Sequence, residues 1–166
     1  MQGFHCATCG EFHAELPSVF GSSAPAAWFA LPARERGQRA LLSSDQCIID
    51  GTAFYVLGRL VIPVVDADEP FVWLTWVALS EADFSRASDL WDSPGRESEP
   101  PYTGRVANQL PYAEPTLELT ATLHTQPLGE RPLVQLEVQA HPLVAEQQAG
   151  ISAAQARALA ERALHG

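Results

Sequence analysis

Two cysteines three positions apart, Cys6 and Cys9 in the stretch FHCATCGEFH, are the first residues whose types and spacing can do chemistry. A Cys-x-x-Cys-Gly turn presents two thiols on one side of a tight loop, and the glycine supplies the positive φ that closes it. Such a knuckle is half of a tetrahedral metal site. His13, four residues past Cys9, can fold back onto the same ion, and Cys47, in SSDQCIID, is the third thiol of the chain. Three thiolates and one imidazole leave no open position for water. The expected site of Cys6, Cys9, His13 and Cys47 is therefore structural, and zinc suits that donor set. His5, Asp45 and His141 stand in reserve; His5 is the weakest, because the ring of a residue next to a ligand usually points away from its neighbour's metal.

Two other readings of the same residues are open. Redox Cys-x-x-Cys pairs open a helix whose N-terminus lowers the thiol pKa, whereas here Gly10 follows directly and no helical pattern begins. The cysteines could also be plain buried thiols, with the histidines as surface polar groups.

Elsewhere the chemistry is thinner. Asp66, Asp68 and Glu69 follow an apolar strand in VIPVVDADEP, a placement that can hold magnesium, but the threonine usual in that pattern is missing and Pro70 closes the stretch. A charged turn is the expectation. His141 precedes Pro142 and reads as a hydrogen-bonded loop histidine, with a general base or ligand as its functional alternative. No metalloprotease helix, nucleophile elbow, phosphate-cradling glycine loop or dinucleotide fingerprint is present. The tryptophans, Trp28, Trp73, Trp76 and Trp91, lie mostly in core patterns.

These residues need elements to position them. Proline breaks LPSVFGSSAPAAWFALPARERGQRALL into short pieces, with a turn of helix expected from Pro25 and another after Pro32. QCIID reads as a strand ending in an Asp50-Gly51 turn. AFYVLGRLVIPVV and FVWLTWVALS are apolar at odd and even positions alike, as strands covered on both faces are; in the second, Phe71, Trp73 and Val77 share one face and Val72, Leu74 and Trp76 the other. SEADFSRASDLW has a capping-box start at Ser80 and Asp83. DSPGRESEPPYTG is rich in proline, glycine and charge and reads as a loop. TLELTATLHT alternates, with Leu117, Leu119, Ala121 and Leu123 inward, and LVQLEVQ places Val134, Leu136 and Val138 inward, so the two make a hairpin. The last helix, ISAAQARALAERALHG, starts at a Ser152–Gln155 capping box and buries Ala156, Leu159, Ala160, Ala163 and Leu164. Strands, helix, hairpin and helix follow one another without repeated strand–helix alternation. The expected class is α+β, a mostly antiparallel sheet of about five strands with flanking helices and an N-terminal zinc knuckle.

Composition bounds the rest. The chain has 166 residues, enough for one domain over 1–166, with the knuckle of 1–15 packed on the α+β body. Ten arginines and no lysine stand against twenty carboxylates, a net charge of −10 that argues against broad nucleic-acid binding. The best basic cluster, Arg34, Arg36 and Arg39, is interrupted by Glu35 and reads as a solvated face. No apolar run reaches the length of a membrane span and no secretion signal is visible, so the expectation is a cytoplasmic protein without membrane or nucleic-acid partners.

Five segments together, CATCGEFHAELP, SDQCIIDG, WLTWVALSEADF, YTGRVANQLPYAEPTLEL and HPLVAEQQAGIS, resemble a bacterial family of uncharacterised proteins, domain of unknown function 2199. The resemblance runs over nearly the whole chain. It implies that Cys6, Cys9, Gly10, His13, Cys47, His141 and Pro142 fall on recurrent positions of the family, which favours a shared metal site, and it brings no reaction with it. The expected role is binding or regulation, with a protein partner met through exposed faces or the DSPGRESEPPYTG loop. The alternative is an enzyme whose pocket lies between the knuckle and AHPLVAEQ, using His141 and a carboxylate such as Asp45.

Overall fold

The computed structural model describes residues 17–165, together with the backbone pairing of two short strands nearer the N-terminus. The elements are β1 (Phe4–His5), β2 (Phe12–His13), β3 (Val19–Gly21), α1 (Ala26–Ala30), α2 (Arg36–Arg39), β4 (Ala40–Leu42), β5 (Gln46–Ile49), β6 (Ala53–Ile62), β7 (Phe71–Leu79), α3 (Glu81–Asp89), β8 (Tyr102–Val106), β9 (Thr120–His124), β10 (Leu133–Leu136), α4 (Pro142–Ala149) and α5 (Ala153–His165). The α+β class holds. The sheet, however, has eight strands, and five of them close on themselves: β6 pairs with β7, β7 with β8, β8 with β9, β9 with β10, and β10 returns to β6.

The long antiparallel pair of β6 and β7 runs from Phe54↔Leu79 to Ile62↔Phe71 and is the spine of the fold. Since β6 occupies one edge of β7 throughout, β3 and β8 share the other, β3 in parallel beside Val72–Leu74 and β8 beside Val77–Ala78. The free edge of β6 is shared in the same way. β5 takes Ala53–Val56 and β10 meets Arg59 in parallel, so the two strands fork apart along it. Two parallel contacts, β3–β7 and β10–β6, therefore join a sheet that is otherwise antiparallel.

Period-two alternation sends Val56, Leu60, Ile62, Phe71, Trp73 and Val77 into the barrel, with Tyr102, Val106, Ala121, Leu123, Val134 and Leu136 from the other strands. Leu143 and Val144 of α4 and Leu159 and Ala160 of α5 join this inner core at the end where Ile151 donates to the Pro63 carbonyl. Phe84 of α3 joins at the opposite end, its ring 5.2 Å from that of Phe54. The other faces of β5, β6 and β7 bury a second cluster of Cys47, Ile49, Leu57 and Trp76, covered by Leu31 and half-buried Trp28. Both long strands are thus covered on both sides, and in β7 Phe71, Trp73 and Val77 face the inner core while Trp76 and Leu74 face the second cluster, as its sequence predicts.

Local signals explain the ends of elements. Asp50 and Gly51 have φ of 53° and 66°, the left-handed pair that an Asp-Gly hairpin turn requires. The Ser152 hydroxyl accepts from the Gln155 amide while the Gln155 side chain accepts from the Ser152 amide, a complete capping box. At α3 only the forward half forms, the Ser80 hydroxyl accepting from Asp83 N–H.

Four expectations change. Tyr102–Val106, read in part as loop, is the strand β8, in which Tyr102, Gly104 and Val106 are buried. The strand expected from Thr116 begins only at Thr120, because Glu118 turns the chain with φ 72° and leaves Leu117 exposed. Val138 lies past the end of β10 and is 86% exposed. Leu164, in the last turn of α5, is also exposed. Among the described residues no helix is long and apolar enough to cross a membrane.

Candidate functional site

Cys6 and Cys9 lie outside the described residues. Their neighbours pair as Phe4↔His13 and His5↔Phe12, so the segment carrying both cysteines connects two antiparallel strands, and His13 falls within the second of them. Cys47 is fully buried on β5, directly opposite Tyr55 of β6, and burial pushes its thiol up to about 11. Among the described residues no group of three or more His, Cys, Asp or Glu side chains could hold a metal ion.

Asp45 and His141, joined in sequence reasoning as an acid–base pair, have separate duties. Asp45, in the β4–β5 turn, accepts from Arg131 at 2.7 Å and from the Ser44 hydroxyl at 2.9 Å. His141 caps α4: its Nδ1 accepts from Leu143 N–H at 3.0 Å, which leaves the proton on Nε2 to be donated to the Glu114 carbonyl at 3.3 Å. Both ring nitrogens are thus committed to the backbone. Asp66 accepts from Ala153 N–H in the first turn of α5, the structural duty expected of a charged turn. In the basic cluster, Arg36 lies 4.3 Å over the Trp28 ring and Arg39 pairs with Glu35 and Asp50.

Beside His141 is a hydrogen-bonded chain that the sequence did not disclose. Trp73 Nε1 donates to the Tyr112 hydroxyl at 3.1 Å, and that hydroxyl donates to Glu146 at 2.6 Å. Burial, then the Glu146 carboxylate, raise the Tyr112 pKa, so the phenol stays protonated. The chain ties the barrel wall to α4 and reads as an anchor.

A cleft lies elsewhere. It has a volume of about 660 Å³ and lies over the barrel mouth below α3. Val56, Tyr102 and Leu123 form its barrel side, Leu90 and Trp91 come from the end of α3 and the residues after it, and the β9–β10 connection supplies the facing wall from Thr125 to Pro132. Arg59, Arg96 and Arg131 all reach this space. Arg96 is a clip, donating to the carbonyls of Trp91, Gln126, Pro127 and Glu130 and thereby holding the two walls together. Arg131 spans the fork between β5 and β10 through its pair with Asp45. The only signal in sequence was the mixture of arginines and apolar residues in three distant segments, which spacing alone does not bring together.

No curated protein and no solved structure shows significant similarity to the chain. The family model described as an uncharacterized protein conserved in bacteria (DUF2199) matches residues 5–151. That span takes in every barrel strand and the cysteine segment, and the chain belongs to this bacterial family.

Proposed function

We propose that this protein is a small-molecule binding protein whose recognition site is the barrel-mouth cleft, and that Cys6, Cys9, His13 and Cys47 hold a structural zinc. The observation that carries the binding reading is the cleft: its volume of about 660 Å³ lies within the range of small-ligand sites, and barrel mouths are a recurrent place for them. The commitment of both His141 nitrogens to the backbone favours binding over the enzyme alternative. The test is titration with small aromatic compounds, followed by calorimetry. Saturable binding that is lost in Leu90→Trp, which fills the cleft, supports the site; binding unaffected by that substitution sinks it.

The zinc reading rests on donor chemistry and on the strand pairing that flanks Cys6 and Cys9. Asp45 and His141, the reserve ligands, already have partners, which leaves Cys47 as the best fourth donor. A bound zinc would hold that thiol as the thiolate despite its burial. Purified protein is expected to carry about one zinc per chain, and Cys6→Ala and Cys47→Ala to lose it. The drop in melting temperature for Cys6→Ala should be modest, because the barrel has its own core in residues 17–165. Metal analysis without stoichiometric zinc in the wild type would overturn the assignment, and zinc retained by Cys47→Ala would move the fourth ligand elsewhere.

A further inference from the structure

We infer that the outer edge of β3 takes an extended peptide segment of another protein as an added strand, with apolar side chains entering the groove at that edge and an acidic side chain meeting Arg162. This groove is separate from the barrel-mouth cleft, and the two sites stand or fall independently.

β3 lies at one end of the strand order, with β7 on one side and no strand on the other. Val72 N–H donates to the Ser18 carbonyl at 2.8 Å, and the parallel register sets Val19 opposite Val72 and Gly21 opposite Leu74. In that register the main-chain groups of Ser18 and Phe20 turn toward β7, and those of Val19 and Gly21 turn away from it. Both outward residues are exposed, Val19 at 51%. Outside the β3–β7 pairing, neither main chain hydrogen-bonds a described residue. A strand edge with free N–H and C=O groups is a template for another strand.

The groove beside this edge has a volume of about 470 Å³, and Gly21, having no side chain, lines it with main-chain atoms. Its walls come from both faces of the sheet. Phe20, Trp73 and Ala163 pack with the inner core, whereas Ala26 and Phe29 belong to α1, whose Ala27 and Trp28 cover the second cluster. A compact ligand needs one face only. A strand laid along an edge sends alternate side chains to both, and here each direction meets apolar surface, with the Phe29 ring 48% exposed. Charge then selects among peptides. Of the described residues that line the groove, Arg162 alone is charged, and no carboxylate is among them although the chain carries a net charge of −10. Arg162 is exposed, with its guanidinium 5.6 Å from the Tyr112 ring centroid, and it makes no ion pair with a described carboxylate. An acidic side chain on the added strand finds its complement there, and a basic one is repelled.

The test selects a phage-displayed library of random linear peptides on the immobilised full chain. The expected result is enrichment of peptides that combine β-branched or aromatic residues with Asp or Glu. The tightest of them, made synthetically, is titrated by calorimetry. Val19→Pro removes an outward N–H and leaves the β7 side of the strand intact, since proline is tolerated where its nitrogen faces solvent. It should weaken binding by about tenfold or more with the melting temperature nearly unchanged. Arg162→Gln should weaken binding by about threefold to fivefold, the range of an exposed ion pair. N-methylation of the peptide needs no change to the protein: methyl groups on one set of alternate residues should abolish binding and on the other set should spare it, because only one set faces β3. Equal tolerance of both sets overturns strand addition. Unchanged affinity in Val19→Pro overturns the site, and unchanged affinity in Arg162→Gln overturns the selection by charge. A library that yields no enriched peptide overturns the inference as a whole. Sedimentation of the free chain covers the remaining occupant: a wild-type dimer that Val19→Pro converts to a monomer gives the edge to a second copy of this chain and also overturns it.

Discussion

Gly104→Ala is expected to lower the stability of the fold by about 2–4 kcal/mol, seen as a fall in the urea midpoint with little change in slope. Gly104 lies in β8 on the inward face, where a Cβ would sit 2.6 Å from the Ala78 carbonyl oxygen and 2.6 Å from Val77 Cγ1. A flexible side chain could swing away, but the Ala78 carbonyl belongs to the wall of the barrel and moves only with β7. Backbone and side chain crowd the same point, so strain or a shift of the β7–β8 pairing has to follow. Gly37 is the matched control: nothing lies within 4 Å of a Cβ built there, it is helical, and alanine at that site should be neutral or stabilise by up to about 1 kcal/mol. A Gly104→Ala midpoint indistinguishable from that of Gly37→Ala would show that the barrel wall yields at no cost and would refute the argument.

Asn108→Ala is expected to cost a similar amount, about 2–4 kcal/mol, through polar groups rather than packing. The Asn108 side chain is buried between elements with no other means of satisfying one another. Its Oδ1 accepts from Trp76 N–H at 2.8 Å and from the Thr75 hydroxyl at 3.3 Å, and its Nδ2 donates to the Ala24 carbonyl at 3.0 Å. Its own carbonyl accepts from Thr116, whose oxygen in turn accepts from Leu110 N–H. Truncation leaves the Trp76 amide buried and unpaired and takes from the Ala24 carbonyl one of its two donors, the Ser22 hydroxyl remaining. Asn108→Asp keeps the shape and both accepting contacts but cannot donate to Ala24 when ionised, and burial raises its pKa above the usual carboxylate value. Protonation is then favoured in the folded state, so this variant should lose stability relative to wild type as pH rises from about 4 to 7. Chemical denaturation at the two pH values measures it; a pH-independent difference would mean that the site is open to water.

What the sequence made legible follows from what each signal reports. The two long strands, the facial split of β7 and the Asp50-Gly51 turn were readable because burial on both faces and a left-handed turn each leave a mark in adjacent residues. The Ser152 capping box was legible for the same reason. Strand β8 was missed because Tyr102, Gly104 and Val106 present one inward glycine, placed there by the closeness of Ala78, and a glycine that ends a stretch rich in proline and charge reads as loop. Barrel closure was not legible at all: the β10–β6 contact has a single register pair, Leu133↔Arg59, and nothing in either segment announces the other. The cleft was hidden for the same reason, since its walls come from β6, from the residues around the end of α3 and from the β9–β10 connection. His141 was visible as a special residue, but it read as a loop histidine, and the helix Pro142–Ala149 that it caps was not read from the sequence.

The fork on the free edge of β6 also bears on the order in which the chain assembles. The β6–β7 hairpin and the β8–β9–β10 meander are each built from contacts near in sequence, whereas β10 reaches β6 across roughly seventy intervening positions, and loop-closure entropy must be met before that contact returns anything. The seam is therefore the last part of the barrel to close and the first to open. Arg59, Arg131 and Asp45 flank that seam, so a molecule held there would bridge a contact formed after the folding barrier. Its effect would fall on the rate of unfolding and leave the rate of folding almost untouched.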